Sequence, residues 1–106
     1  MKTIAQQLNI KEFPFSIKDK NNRIIYSESA LGWWIKQEYD ANDNVIYQEN
    51  AGGYWLKNTY NEQNLPIYWE ESTGYWYKKE YDSNGKIIYY ENSRGEILDK
   101  RPKELV

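Results

Sequence analysis

The sequence predicts a mainly β protein: an antiparallel β-meander of 21-residue hairpin repeats, with about eight or nine strands in one curled sheet behind a short N-terminal helix. Three observations predict it. Tyr39, Tyr60 and Tyr81 recur every 21 residues, and further columns keep the same beat: Ile25, Ile46, Ile67 and Ile88; Glu28, Glu49, Glu70 and Glu91; Gly32, Gly53, Gly74 and Gly95. Within each period lie two short runs such as GYWYKKEY and IIYYEN, rich in aromatic and β-branched residues and bounded by turn formers. The mean hydropathy of −1.00 would suit a disordered chain, but aromatic residues make up 17% of the sequence, and disordered segments are poor in them. The core must therefore be built from Tyr and Trp rings, which carry a large apolar area and a polar handle.

The 106 residues suit a single repeat domain, divided into an N-terminal helix or cap (1–12), hairpin repeats (13–99) and a C-terminal tail (100–106). Thr3 is placed to cap a helix running to about Asn9, with Ile4 and Leu8 at i, i+4 spacing. EFPFSIKDKNN is a degenerate copy of the second strand and its turn, with Phe13 in the Trp column. Asp82-Ser83-Asn84-Gly85 suits a type I turn followed by a left-handed Gly, which pairs Asp82 with Lys86 and Tyr81 with Ile87. Pro66 falls at a strand start, where its missing N–H is tolerated. EILDKRPKELV begins as a strand and breaks at Pro102.

Side chains alternate faces with period 2, whereas 21 is odd. Equivalent residues share a face if one loop is odd and the other even, which predicts an even loop at Leu31-Gly32, Gly52-Gly53, Thr73-Gly74 and Arg94-Gly95. That reading puts Tyr26, Tyr47, Tyr68 and Tyr89 on a core face with Tyr39, Tyr60, Tyr81 and Tyr77. It puts Trp34, Trp55, Trp76, Lys36, Lys57, Lys78, Trp69, Tyr90 and the Ile25 column on the other. Such a sheet must hide its core face by curling, by taking the helix as a lid, or by pairing with a second copy.

EYDSNGKIIYYENSRG and EYDANDNVIY resemble the YD (RHS) repeats of bacterial and phage proteins, through Tyr39-Asp40 and Tyr81-Asp82-Ser83-Asn84-Gly85; the middle copy departs from the pattern at Tyr60-Asn61. GYWYKKEYDSNGKI is also similar to MORN-type repeats. Both resemblances cover about residues 18 to 99, and they imply aromatic β-hairpin repeats with non-enzymatic roles.

Composition narrows the function classes. A net charge of −2 lacks the basic footprint of a duplex DNA binder. Without Cys or His the chain has no thiolate chemistry, and it lacks the commonest general base and metal ligand. MKTIAQQLNIKEF contains no apolar signal stretch, and no run approaches a membrane span, which predicts a cytoplasmic protein with no membrane partner, in a bacterium or a phage-infected cell. The Glu28 column could in principle supply a carboxylate pair, but repeated positions give equivalent environments, whereas acid–base work needs pKa values pushed apart. Those glutamates are expected to pair with Lys or cap turns. DANDN at 40–44 lacks the Gly and distal Glu of a calcium loop, so Asp40 and Asp82 are expected to be turn residues. No enzyme, cofactor or metal is expected.

The reading that remains is a binding module. Its expected binding residues are Trp34, Trp55, Trp76, Trp69, Tyr90, Lys36, Lys57 and Lys78, because exposed Trp and Tyr dominate interface hot spots and a contiguous aromatic patch marks a partner site. The plain structural alternative is cross-strand packing of the Trp rings with Lys stems. The first-ranked partner is a protein, a second copy included, and the role that of a small phage or bacterial accessory protein inhibiting a host protein. A glycan, or a nucleotide stacked beside Lys, ranks second.

Overall fold

Asp82 and Gly85 close the loop that the sequence predicts. The Asp82 amide donates to the Lys86 carbonyl and the Gly85 amide to Asp82, with Gly85 at φ 80°. The Asp82 carboxylate also accepts from the amides of Asn84 and Lys86. Asp19, Asp40 and Asn61 repeat this arrangement, with Asn22, Asp43 and Asn64 taking the left-handed position where Gly85 stands in the last copy.

These loops join nine strands in a computed structural model that describes residues 2–102; Met1 and the last four residues of the expected 100–106 tail lie outside the described residues. After helix α1 (Ile4–Gln7) come β1 (Phe15–Lys18), β2 (Ile24–Glu28), β3 (Trp34–Tyr39), β4 (Val45–Asn50), β5 (Trp55–Tyr60), β6 (Pro66–Glu71), β7 (Trp76–Tyr81), β8 (Ile87–Asn92) and β9 (Ile97–Asp99). Each strand pairs antiparallel with the next, in the order β1 to β9, so the sheet is open and β1 and β9 are its edges.

The even loop is corrected. Asn50 and Tyr54 bracket a three-residue loop, with the Asn50 amide bonded to the Tyr54 carbonyl and Gly53 at φ 88°. The loops closing at Gly32, Gly74 and Gly95 are the same. Two odd loops give an even period, and the extra residue is a β-bulge. Tyr39 pairs with Val45 and Glu38 with Tyr47, so Ile46 has no partner on β3. The register shifts likewise at Ile25, Ile67 and Ile88. A bulged residue lengthens its strand without moving its neighbours to the other face, and that is how an odd repeat stays in phase.

The bulge also re-sorts the faces. One face, here the ladder face, carries Trp34, Lys36 and Glu38 on β3, Tyr47 and Glu49 on β4, and the matching residues of later strands. Tyr26, Tyr47, Tyr68 and Tyr89 therefore lie beside the Trp and Lys columns, where the sequence reading set them opposite. The other face, here the apolar face, carries Ile35, Tyr39, Leu56, Tyr60, Tyr77 and Tyr81, and it also takes Trp69 and Tyr90. The Ile25 column belongs to neither ladder of pairs.

The sheet is a single layer, and the described chain as a whole measures 67 × 30 × 16 Å. Among the described residues only Ala5 and Tyr26 are buried hydrophobic side chains, and both lie where α1 meets the ladder face. Thr3 and Gln6 form a capping box at the start of α1. At its end the Ile10 amide bonds to Ala5 and the Asn9 amide to Gln6, with Asn9 left-handed at φ 57°. The helix thus stops short of the expected Asn9 and leaves Leu8 exposed. It covers one end of one face.

Candidate functional site

On the ladder face every copy repeats one hydrogen bond. The hydroxyls of Tyr26, Tyr47, Tyr68 and Tyr89 donate to Glu28, Glu49, Glu70 and Glu91 at 2.8, 2.7, 2.9 and 2.6 Å. Residues i and i+2 of a strand point the same way, so the Tyr-x-Glu spacing carried this signal and the sequence reading overlooked it. Across the strands Tyr47 faces Lys57, Lys57 faces Glu70, and Glu70 faces Trp76. One copy earlier, Tyr26, Lys36, Glu49 and Trp55 make the same diagonal.

The expected binding residues therefore divide. Trp34, Trp55, Trp76, Lys36, Lys57 and Lys78 come together on the ladder face. Trp69 and Tyr90 do not join them; Trp69 stacks on Tyr77 at 5.7 Å on the apolar face, and Tyr77 stacks on Tyr90 at 6.0 Å. Lys57 Nζ lies 5.2 Å from the Trp55 ring centre and Lys78 Nζ 5.7 Å from that of Trp76. Lys78 also reaches Glu91 at 3.7 Å. Each of these lysines covers the indole two residues before it on its own strand, and the three indoles stand half-buried rather than fully displayed.

Copy 1 differs because it is occupied. Thr3 Oγ1 donates to Glu28 Oε2 at 2.6 Å, and the Ala5 amide to Glu28 Oε1 at 3.1 Å. With the Tyr26 hydroxyl the carboxylate has three donors, and it is 2% exposed. Burial pushes the Glu28 carboxyl up, but the bonds from Thr3, Tyr26 and Ala5 outweigh it and hold the group below its ordinary 4.5. Burial and the Glu28 carboxylate push the Tyr26 phenol up to about 12. Phe15 packs edge-on to Tyr26 at 6.3 Å and Trp34 stacks on it at 6.3 Å. Beside α1 a cleft opens toward Trp34, Lys36 and Glu49, so the occupied copy leads into the uncovered ones.

The depressed carboxyls fix the sign of the acid response. Amide bonds from Arg23 and Asn44 hold Asp19 and Asp40 below their ordinary 3.8, as the contacts to α1 hold Glu28 below 4.5. Their stabilisation is complete above those ordinary values and is lost as pH falls through the lower folded-state values. The urea midpoint is expected to stay level from about pH 7 to about pH 5 and to drop steeply below about pH 4. Glu28→Gln should lower the midpoint at about pH 7 and make the acid drop shallower.

No protein-family model matches the chain, and no curated protein matches it. Among the described residues no group of three or more acidic side chains is placed to hold a metal ion, and no helix is long and apolar enough to cross a membrane.

Proposed function

We propose that this chain is a non-enzymatic protein-binding module, and that its ladder face receives a short capped segment of a partner protein. The observation that carries this reading is α1 itself. A four-residue helix sits on the Tyr26–Glu28 pair, its Thr3 hydroxyl and Ala5 amide given to the carboxylate. Tyr47–Glu49 and Tyr68–Glu70 present the same acceptor beside Trp55 and Trp76. Copy 1 has Phe15 and Ile17 on its flanking strand, where copy 2 has Lys36 and Glu38. A partner for the later copies is therefore amphipathic, with charge to set against Lys36, Lys57 and the glutamates.

Protein is favoured over a glycan or a nucleotide because Trp55 and Trp76 are already engaged by the chain's own lysines, whereas sugars and bases need free ring faces. The small repetitive build suits an accessory or inhibitory protein of a phage or bacterium. The test is capture of a host protein by wild type and by a Trp34→Ala/Trp55→Ala/Trp76→Ala variant with native circular dichroism. At least tenfold weaker capture by the variant is expected, with Trp55 and Trp76 shielded from oxidation in the wild-type complex. Equal capture by the folded variant refutes the reading.

A further inference from the structure

Among the described residues nothing covers the apolar face. Nothing on it is a buried hydrophobic residue, and Ile24, Trp33, Ile87 and Leu98 on it are 41, 49, 38 and 43% exposed. Folded domains bury the apolar side of a sheet against a second layer, and this chain builds one layer only. Its helix is spent on the opposite face.

We infer that the second layer is another copy of this chain, packed apolar face to apolar face as a two-sheet sandwich. Three properties select that occupant. Nine strands, most of them six residues long, at about 4.8 Å between strands and about 3.4 Å per residue give the sheet a face on the order of 800–1,000 Å², enough to supply the roughly 800 Å² that each partner contributes to a standard stable interface. Charge is compatible with self-pairing. The strand positions of the apolar face carry only Lys18, Glu71 and Lys79, whereas those of the ladder face carry seven carboxylates against three lysines. Two ladder faces brought together would oppose carboxylate rows; two apolar faces would not. Shape is the third property. The Trp69–Tyr77–Tyr90 stack is a continuous aromatic row across three neighbouring strands, and sheets pack face to face about 10 Å apart, with strands roughly 30° askew, through interdigitating side chains of this kind.

The sandwich leaves both ladder faces outward, so it is independent of the partner reading above and duplicates the surface that reading uses. It also places the two α1 helices on the outside, clear of the interface.

Sedimentation equilibrium on the full chain tests the inference, with hydroxyl-radical footprinting of the same samples. The wild type is expected at twice its 12.8 kDa. Trp33, Trp69, Tyr77 and Tyr90 should gain protection as concentration rises, while Trp55 and Trp76 should not. Ile87→Glu/Leu98→Glu should raise the dimer dissociation constant at least tenfold, and Thr59→Glu, on the ladder face, should leave it unchanged. A wild type that remains a monomer at about 100 µM overturns self-pairing. So does a dimer whose protection falls on the ladder face. The footprint needs no variant and decides the matter even if the double substitution unfolds. Capture of a host protein through the indoles can survive either failure, so the two readings fall separately.

Discussion

Deleting Asn58 is expected to destroy the fold downstream of β5, whereas deleting Ile67, nine positions later, is expected to leave it intact. Asn58 pairs with Trp69 on β6, and its neighbours Lys57 and Thr59 share the ladder face. Without Asn58 the alternation slips by one, so Thr59 and Tyr60 exchange faces and every later strand inverts with them. Trp76 and Lys78 would then lie with the apolar residues of the first copies, and Tyr77 and Tyr81 with the charged ladder. The expected cost exceeds about 4 kcal/mol, a range reserved for failures of the whole packing scheme. Ile67 is the bulged residue between Pro66 and Tyr68, and Tyr60 and Thr59 keep those two partners when it is removed. Its loss should cost about 1–2 kcal/mol of packing and twist, within the range of ordinary single changes. Urea unfolding followed by tryptophan fluorescence separates the two. A folded, cooperative Asn58 deletion would show that parity does not hold the repeats in phase.

The second large effect is expected at Tyr26. Tyr26→Ala should lower stability by about 3–5 kcal/mol, the range for emptying a large ring from a buried site. The ring is 5% exposed, pressed between Phe15 and Trp34, and its hydroxyl serves Glu28 beneath α1. Tyr47→Ala, at the same column one copy on, should cost about half as much or less, because Tyr47 has its bond to Glu49 but no helix above it. Tyr26→Phe keeps the ring and takes one donor from Glu28, for a loss of about 1 kcal/mol. Equal costs for Tyr26→Ala and Tyr47→Ala would mean that α1 contributes nothing by covering copy 1.

Both experiments turn on details that local sequence patterns show unevenly. Tyr81, Asp82, Gly85 and Ile87 define their hairpin loop from neighbouring residues alone, and the loop forms as read. The capping of α1 by Thr3 is local in the same way. The loops at Gly32 and Gly53 look local too, but face parity fixes their length only together with the bulge, which adds one residue to each repeat. The bulge itself has a reason visible only in three dimensions. In three copies the carbonyl of the residue before the bulged Ile accepts from a side chain on the following strand, that of Ile24 from Tyr39 at 2.7 Å, that of Val45 from Asn58 at 3.3 Å and that of Pro66 from Tyr81 at 2.6 Å. No short pattern announces bonds that span thirteen or fifteen residues.

The candidate site divides along the same line. That Trp34, Trp55 and Trp76 share a face with Lys36, Lys57 and Lys78 follows from even spacing within each strand and from equal spacing between copies, so it was legible. That Trp69 and Tyr90 lie opposite was not, because each stands beyond a bulge that resets the count. The sequence by itself determined the repeat, the order of its strands, the turns that open on Asp19, Asp40, Asn61 and Asp82, and the short cap, since all of these rest on contacts between near neighbours. Only the tertiary structure decided which rings look which way, that one carboxylate of four is sealed by the helix, and that one side of the sheet is left bare. Those outcomes depend on registers set across strands, and a register is a property of the pair, not of either strand alone.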